Sequence, residues 1–179
     1  MDDIAQSVGC DLGDRIIKVN HAGEHGAIGI YTGQIMMARL TAPAMVAELC
    51  EFRLHEQQHR AIFAAELLRR GRPRCRSYWL CGIGGFTLGA VTGLLGPSAI
   101  AAATAAVESV VLRHLEQQIL VLQDHDASAV SAISAIVADE QQHHAQSLEH
   151  VQAGAFWPRL LTPIVSVSTE AVIWLGMRL

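Results

Sequence analysis

No two of the four cysteines, Cys10, Cys50, Cys75 and Cys81, stand as a C-x-x-C pair. They outline neither a zinc or iron–sulfur site nor a disulfide framework, and they read as free thiols of a reducing compartment. A basic excess is missing as well: the net charge is −4 and the pI about 6.1. That balance and the absence of any RNA- or DNA-binding motif argue against nucleic acid as a partner. There is no glycine-rich dinucleotide loop after a strand pattern, so electrons for any redox chemistry must come from outside the chain. The opening Met1-Asp2-Asp3 has neither the order of a secretory signal nor the arginines of a transit peptide, which points to a chain made and kept inside a cell. From Ser77 to Val107 there is not one charged side chain.

What is present is grease and carboxylate. Of 179 residues 51% are hydrophobic and the mean hydropathy is +0.29, more than a soluble domain of this size needs, so the excess is buried or meets lipid. One domain is expected, long enough to bury roughly 70% of its unfolded surface.

The chain is organised around His55-Glu56-Gln57-Gln58-His59, whose Glu-x-x-His recurs at Glu140-Gln141-Gln142-His143. A Glu and a His three apart on a helix project from one face and can share a metal ion. The interval from Glu24 to Glu56 equals that from Glu108 to Glu140, so the chain carries two copies of Glu followed by Glu-x-x-His. Each midpoint falls at a breaker, Thr41-Ala42-Pro43 and Asp124-His125-Asp126. Each copy therefore folds as a helical hairpin, with its ligands at one level ~24 Å from the loop.

Periodicity supports the same picture. Ile17, Asn20, Glu24, Ala27, Tyr31 and Ile35 fall on one stripe of a first helix; Leu49, Phe52, Glu56, His59, Phe63 and Leu67 on a second, which ends at Gly71. Ala101, Thr104, Glu108, Val111 and Leu115 mark a third, and Ile133, Val137, Glu140, His143 and Ser147 a fourth, starting near Ala127 and closing around Gly154. The spacing predicts an all-α four-helix bundle. Its parts are an irregular lead-in over 1–13, a single domain over 14–179 with hairpins at about 14–70 and 98–153, a crossover at about 77–97, and a C-terminal helix at about 162–178. Glycines 23, 26, 29 and 33 of the first helix permit close approach of a backbone or a ligand. The uncharged run is long enough to span a bilayer, but its glycines and Pro97 also suit a pocket-lining, interfacial or buried crossover. Beside it, Arg69, Arg70, Arg72, Arg74 and Arg76 form a basic knot suited to anionic headgroups.

Four inward acids cannot stay ionised in an apolar core without compensation. Two divalent cations cancel them and leave neutral imidazoles as further ligands. Such a donor set suits iron or manganese better than structural zinc. Glu24, Glu56 and His59 are assigned to one ion and Glu108, Glu140 and His143 to the other, with Glu56 and Glu140 bridging. Asp139 and His114 are candidates to orient ligands from outside. His21, His25, His55, His125, His144 and His150 receive no role.

Val19-Asn20-His21-Ala22-Gly23-Glu24, Ile30-Tyr31-Thr32-Gly33-Gln34, Glu56-Gln57-Gln58-His59, Val107-Glu108 with His114, and Glu140-Gln141-Gln142-His143-His144 together resemble the demethoxyubiquinone hydroxylases of ubiquinone biosynthesis, from about Arg15 to Leu179. Ser109, where many members carry a second acid, and Gln142, in place of a frequent Glu, depart from the pattern. The resemblance implies a ferritin-like bundle holding two iron ions, O₂-dependent hydroxylation of a polyprenylated benzoquinone ring, and NADH as external electron donor. It also implies a peripheral location on the inner face of a bacterial cell membrane. Tyr31, Trp79 and Phe86 are the candidate substrate-facing aromatics, and the uncharged run is placed to hold the isoprenoid tail. A lipid-presenting or quinone-biosynthesis partner protein and a homo-oligomer stay open. The rival readings are an iron-oxidising or peroxide-scavenging protein of the same bundle class, and a metal-free membrane-associated scaffold.

Overall fold

The computed structural model of the chain describes residues 2–151 and 156–179, with side chains placed from residue 11 onward. It is all helix among the described residues: α1 (Asp2–Thr41), a 3₁₀ turn (Pro43–Met45), α2 (Val46–Arg69), α3 (Tyr78–Leu95), α4 (Pro97–Leu122), α5 (Ala127–Ser134), α6 (Val137–Glu149) and α7 (Phe156–Gly176). The α1–α2 hairpin packs beside a second hairpin in which α4 returns as α6, while α3 lies along α1 and α7 along α4.

The boundaries follow local chemistry. Pro43 cannot continue the ladder of α1. After α2, Gly71 adopts φ +62° and the N–H of Arg72 returns to Leu67 O at 2.9 Å, a left-handed cap that needs glycine. Pro97 opens α4 after Gly96 at φ +95°. Asp126 caps α5 by accepting from Ala129 N at 3.0 Å.

Three expectations need correction. The lead-in is not irregular over its described part, because α1 already runs from Asp2. Gly13, at the end of that segment, is a contact point: a Cβ there would lie 2.0 Å from Asp126 Oδ2. The fourth rod is two helices, since the backbone slips from the α to the 3₁₀ pattern at Ile136, whose N–H reaches Ile133 O at 3.2 Å. Ser131 to Val137 contains no Gly or Pro, and Ile133 and Ile136 are both fully buried, so packing rather than local propensity sets this break. The last helix starts earlier than 162, at Phe156, because Pro158 falls in its first turn, where a missing N–H costs nothing. The close expected around Gly154 lies outside the described residues.

Two apolar clusters bracket the middle of the bundle. One gathers Ile17, Phe63, Leu67, Leu115, Leu122 and Ile136 at the level of the α2 C-terminus; the other gathers Tyr31, Ile35, Leu49, Phe52 and Ile100 near the α1–α2 turn. Glu24, Glu56 and Glu108 lie in sequence between them on α1, α2 and α4, and Glu140 follows Ile136 of the first cluster by one helical turn.

Below the first cluster a buried ionic knot ties three elements. The Arg70 guanidinium donates to both oxygens of Asp126 at 2.7 Å, to Glu66 Oε1 at 2.6 Å and to Asp14 Oδ1 at 3.1 Å. Arg72 pairs with Asp14 and Arg69 with Glu66. Much of the basic run is thus consumed internally, which leaves Arg74 and Arg76 exposed. Arg69 above all, and then Arg70, hold the Glu66 carboxyl at about 2 against the opposing effect of burial. A depressed carboxyl stabilises the fold above its unfolded value of 4.5 and loses that contribution as pH falls towards 2. Arg70→Leu should cost about 3 kcal/mol at neutral pH, because Asp126 loses its cation and Asp14 and Glu66 keep only Arg72 and Arg69. It should also flatten the decline of the urea midpoint between pH 4.5 and 2, read by circular dichroism.

α3 meets α1 backbone to backbone. A Cβ at Gly85 would lie 2.1 Å from Gly26 O, and one at Gly89 1.9 Å from Ile30 O. The glycine stripe therefore serves helix packing. Gly89→Ala must separate the two helices and should lower stability by about 2 kcal/mol or more. Gly84→Ala, with nothing within 4 Å of the new Cβ, should be neutral or stabilising by up to about 1 kcal/mol through helix propensity. Thermal melting of the two variants distinguishes these outcomes.

Candidate metal centre

All six side chains picked out by the repeat converge in the middle of the bundle, and none is more than 5% exposed. They form two overlapping sets whose ligand atoms lie within 4.8 Å of one another: Glu24, Glu56, His59 and Glu140, and Glu56, Glu108, Glu140 and His143. Glu56 and Glu140 belong to both.

The imidazoles are oriented from behind. His59 turns Nδ1 into the cluster, 2.9 Å from Glu140 Oε1 and 3.8 Å from oxygens of Glu24 and Glu56. Its Nε2 meets Asp139 Oδ2 at 3.1 Å. His143 turns Nδ1 towards Glu56 Oε1 at 3.3 Å, and its Nε2 lies 2.9 Å from His55 Nδ1. The Tyr31 hydroxyl donates to Glu108 Oε1 at 2.7 Å. Glu56 Oε1, His59 Nδ1 and His143 Nδ1 are buried with no hydrogen-bond partner. Buried polar atoms are rarely orphaned, and here the orphans are oxygen and nitrogen donors aimed at one another. The donor set fits a pair of divalent ions.

The electrostatics of the bare cluster agree. Burial, reinforced by the negative charge of Glu56, pushes the Glu24 carboxyl well above its usual range; burial and then Glu140 do the same to Glu108, and burial and Glu56 raise Glu140. Burial opposes the Glu56 carboxylate, but the imidazoles of His143 and His59 turned towards it outweigh that effect, and Glu56 alone is held down, at about 2. Burial opposes the imidazolium of His59, but Glu140 and Glu56 overcome it and lift the group to about 11. Protons thus neutralise the cluster when cations do not.

A cavity of about 310 Å³ reaches the carboxylate side of the cluster, lined by Glu24, Glu56, Glu108 and Glu140 and by apolar residues of α1, α3, α4 and α7. His59 and His143 are not among its walls. At its mouth Leu80 of α3 is 57% exposed and Val172 of α7 40%.

The outer candidates fare unevenly. Asp139 lies behind His59, its Oδ2 3.1 Å from Nε2. His114 does not orient a ligand: its Nε2 is 2.8 Å from Glu170 Oε2, on the α4–α7 contact, because the α4 stripe passing through Glu108 and Leu115 leaves position 114 to one side. Tyr31 is buried behind Glu108 instead of lining the cavity. Trp79 and Phe86 sit on the outer face of α3, 59% and 39% exposed, since the glycine stripe takes the inner face; Leu80, Cys81, Gly84 and Leu88 line the cavity in their place. Sequence reasoning missed His55 and the role of Tyr31. Signals existed in the His55/His59 spacing of one helical turn and in the position of Tyr31 two turns from Glu24 on the same stripe. Ser109 and Gln142, the two departures, are exposed and away from the cluster.

A family model described as ubiquinone biosynthesis protein COQ7 matches residues 11–176. The mitochondrial NADPH-dependent 3-demethoxyubiquinone 3-hydroxylase of Dictyostelium discoideum is 34% identical over 171 residues, covering 92% of this chain and 76% of its own. The human protein of the same name is 31% identical over 172 residues, covering 93% and 77%. The 3-demethoxyubiquinol 3-hydroxylase of Rhodospirillum rubrum is 32% identical over 168 residues, covering 92% and 77%.

Because the bare cluster holds protons that a metal must displace, divalent metal binding should release protons and tighten as pH rises through the neutral range. Anaerobic calorimetry with Fe²⁺ in buffers of different ionisation enthalpy should give saturation at two ions per chain with net proton release. Uptake without proton release would contradict the protonated cluster.

Proposed function

The chain belongs to the family of the ubiquinone biosynthesis protein COQ7, and on that premise we propose that it is a 3-demethoxyubiquinol 3-hydroxylase, an oxidoreductase that adds one oxygen atom to the ring of a demethoxyubiquinol. The observation that carries the reading is the apolar cavity that ends on four buried carboxylates flanked by two oriented imidazoles. The overall reaction takes one oxygen atom of O₂ into the ring and reduces the other to water with two electrons and two protons. The electrons are assigned to a reduced nicotinamide dinucleotide. The names of the mitochondrial relatives specify NADPH, whereas the resemblance read from the sequence suggested NADH.

Glu24, Glu56, His59, Glu108, Glu140 and His143 would hold two iron ions, with Glu56 and Glu140 shared. Iron, when bound there, supplies the activation of O₂. The chain does the rest. Asp139 and His55 fix the rings of His59 and His143 so that both Nδ1 atoms face inward, as histidine ligands require. Tyr31 fixes Glu108. The apolar walls from α3, α4 and α7 exclude water and so favour oxidation of the ring over loss of the oxidant to solvent.

The quinone is proposed to arrive from a membrane. α3 and α7 flank the cavity mouth and turn Trp79, Ile83 and Leu94, and Val167 and Trp174, outward, an apolar surface of the kind that meets lipid or a partner. α3 and α4 are both long and apolar enough to cross a bilayer, but two-thirds of the α4 window is buried inside the bundle. A peripheral position on the inner face of a bacterial membrane suits this arrangement. Iron storage or peroxide scavenging would have no use for an apolar cavity ending on the cluster, and a metal-free scaffold would leave its orphaned donors without purpose.

Iron-loaded protein given a short-tailed demethoxyquinol, ¹⁸O₂ and NADH or NADPH should yield a product heavier by one ¹⁸O atom. Glu140→Ala should lose bound iron and product together, by about 100-fold or more in rate, while keeping its far-ultraviolet dichroism. Full iron occupancy without a hydroxylated product from either dinucleotide would overturn the reading.

A further inference from the structure

One polar feature of the cavity is not used by the metal cluster. Asn20 of α1 and Gln118 of α4 line it and clasp each other: Asn20 Nδ2 donates to Gln118 Oε1 at 2.8 Å, and Gln118 Nε2 donates to Asn20 Oδ1 at 3.2 Å. This reciprocal pairing uses one N–H and one carbonyl lone pair of each amide, so each keeps one further N–H and one further lone pair. The other polar walls are committed. Ser168 and Thr169 both donate to Val165 O at 2.9 Å, His114 is turned to Glu170, and the four glutamates face one another.

Asn20 precedes Glu24 by one helical turn on the same face, ~6 Å along the axis. That offset is comparable to the width of a six-membered ring carrying oxygens at opposite ends. The geometry points to the Asn20–Gln118 pair as the subsite that grips the ring oxygen remote from the metal cluster, so that the ring carbon to be oxidised is presented to the carboxylate side. Amides suit the task because they donate to a quinone carbonyl, which only accepts, and also accept from a quinol hydroxyl. The same subsite therefore serves both redox states of the ring. A carboxylate or an ammonium group there would favour one state and carry an unpaired charge in an apolar cavity. The inference rests on the quinone reading above and deepens it.

The test is binding to metal-free protein, followed through quenching of tryptophan fluorescence. The ligands are a short-tailed demethoxyquinone and an analogue of the same tail in which the remote ring carbon carries hydrogen instead of oxygen. Wild type should bind the quinone about tenfold or more tighter than the analogue, because the analogue leaves amide groups unpaired. The double variant Asn20→Leu/Gln118→Leu, which removes both partners and so orphans neither, should bind the two ligands within about twofold. In iron-loaded protein the same variant should consume more O₂ per hydroxylated product than wild type. Equal binding of the two ligands by wild type overturns the inference whatever the variant does. Undiminished discrimination by a folded double variant overturns it as well. If neither ligand binds wild type, it is the quinone reading that fails, so the two failures are distinguishable.

Discussion

The structure depends on the neutralisation of four carboxylates placed in one apolar interior. Glu24, Glu56, Glu108 and Glu140 come from four different helices and are almost wholly withdrawn from water. An isolated ionised carboxylate in such a place would cost several kcal/mol. In the bare chain the cost is limited by keeping protons on Glu24 and Glu108 and by setting protonated His59 against Glu140 and Glu56. Two divalent cations would discharge the same debt of charge and give the orphaned Nδ1 atoms a partner. The apolar clusters make this possible: one ties all four rods and the other ties α1, α2 and α4, so that the acids meet at one level whichever way they are neutralised.

That register was largely legible in the sequence, because helical periodicity and turn position are both local signals. Glu24, Glu56, Glu108 and Glu140 each fall on a stripe of apolar residues, and each pair is centred on a breaker, which is enough to place all four at one height. Less legible was which way α3 faces. Its residues are apolar on every side, so composition cannot separate lipid-like surface from interior, and Trp79 and Phe86 looked as suited to a substrate as Leu80 and Leu88. The information lay in spacing. Gly85 and Gly89 contact the α1 backbone, and once that stripe is taken as the inner face, Phe86 falls outside it. The break at Ile136 had no sharp local sign, since it replaces one α-type hydrogen bond by a 3₁₀ one within a run that holds neither Gly nor Pro.

The same glycines connect packing to function. By letting α3 lie against α1 without intervening side chains, they bring an apolar helix to the edge of the metal cluster, yet they do not fill the space beside Glu24. The cavity wall at Gly23, Gly26 and Gly84 is bare backbone on that side. Larger residues would exclude water by filling the cavity. This chain instead excludes it with apolar walls around a space big enough for a ring. The outward apolar residues of α3 are the counterpart of this choice, because a helix whose inner face is glycine has only its outer face left for large side chains.

The ligands repeat, but their surroundings do not. His59 is backed by the carboxylate of Asp139, His143 by the imidazole of His55, and Glu108 takes a hydrogen bond from Tyr31. An anionic partner makes an imidazole a stronger electron donor than a neutral one does, and a hydroxyl donating to a carboxylate weakens that carboxylate as a ligand. Both differences run in the same direction: the half of the site built from Glu24 and His59 is richer in electron density than the half built from Glu108 and His143. A duplicated Glu then Glu-x-x-His sequence thus produces two inequivalent positions, and the inequivalence resides in Tyr31 and in His55 and Asp139, which fill the same place of the two copies, directly before the Glu of Glu-x-x-His, with different chemistry.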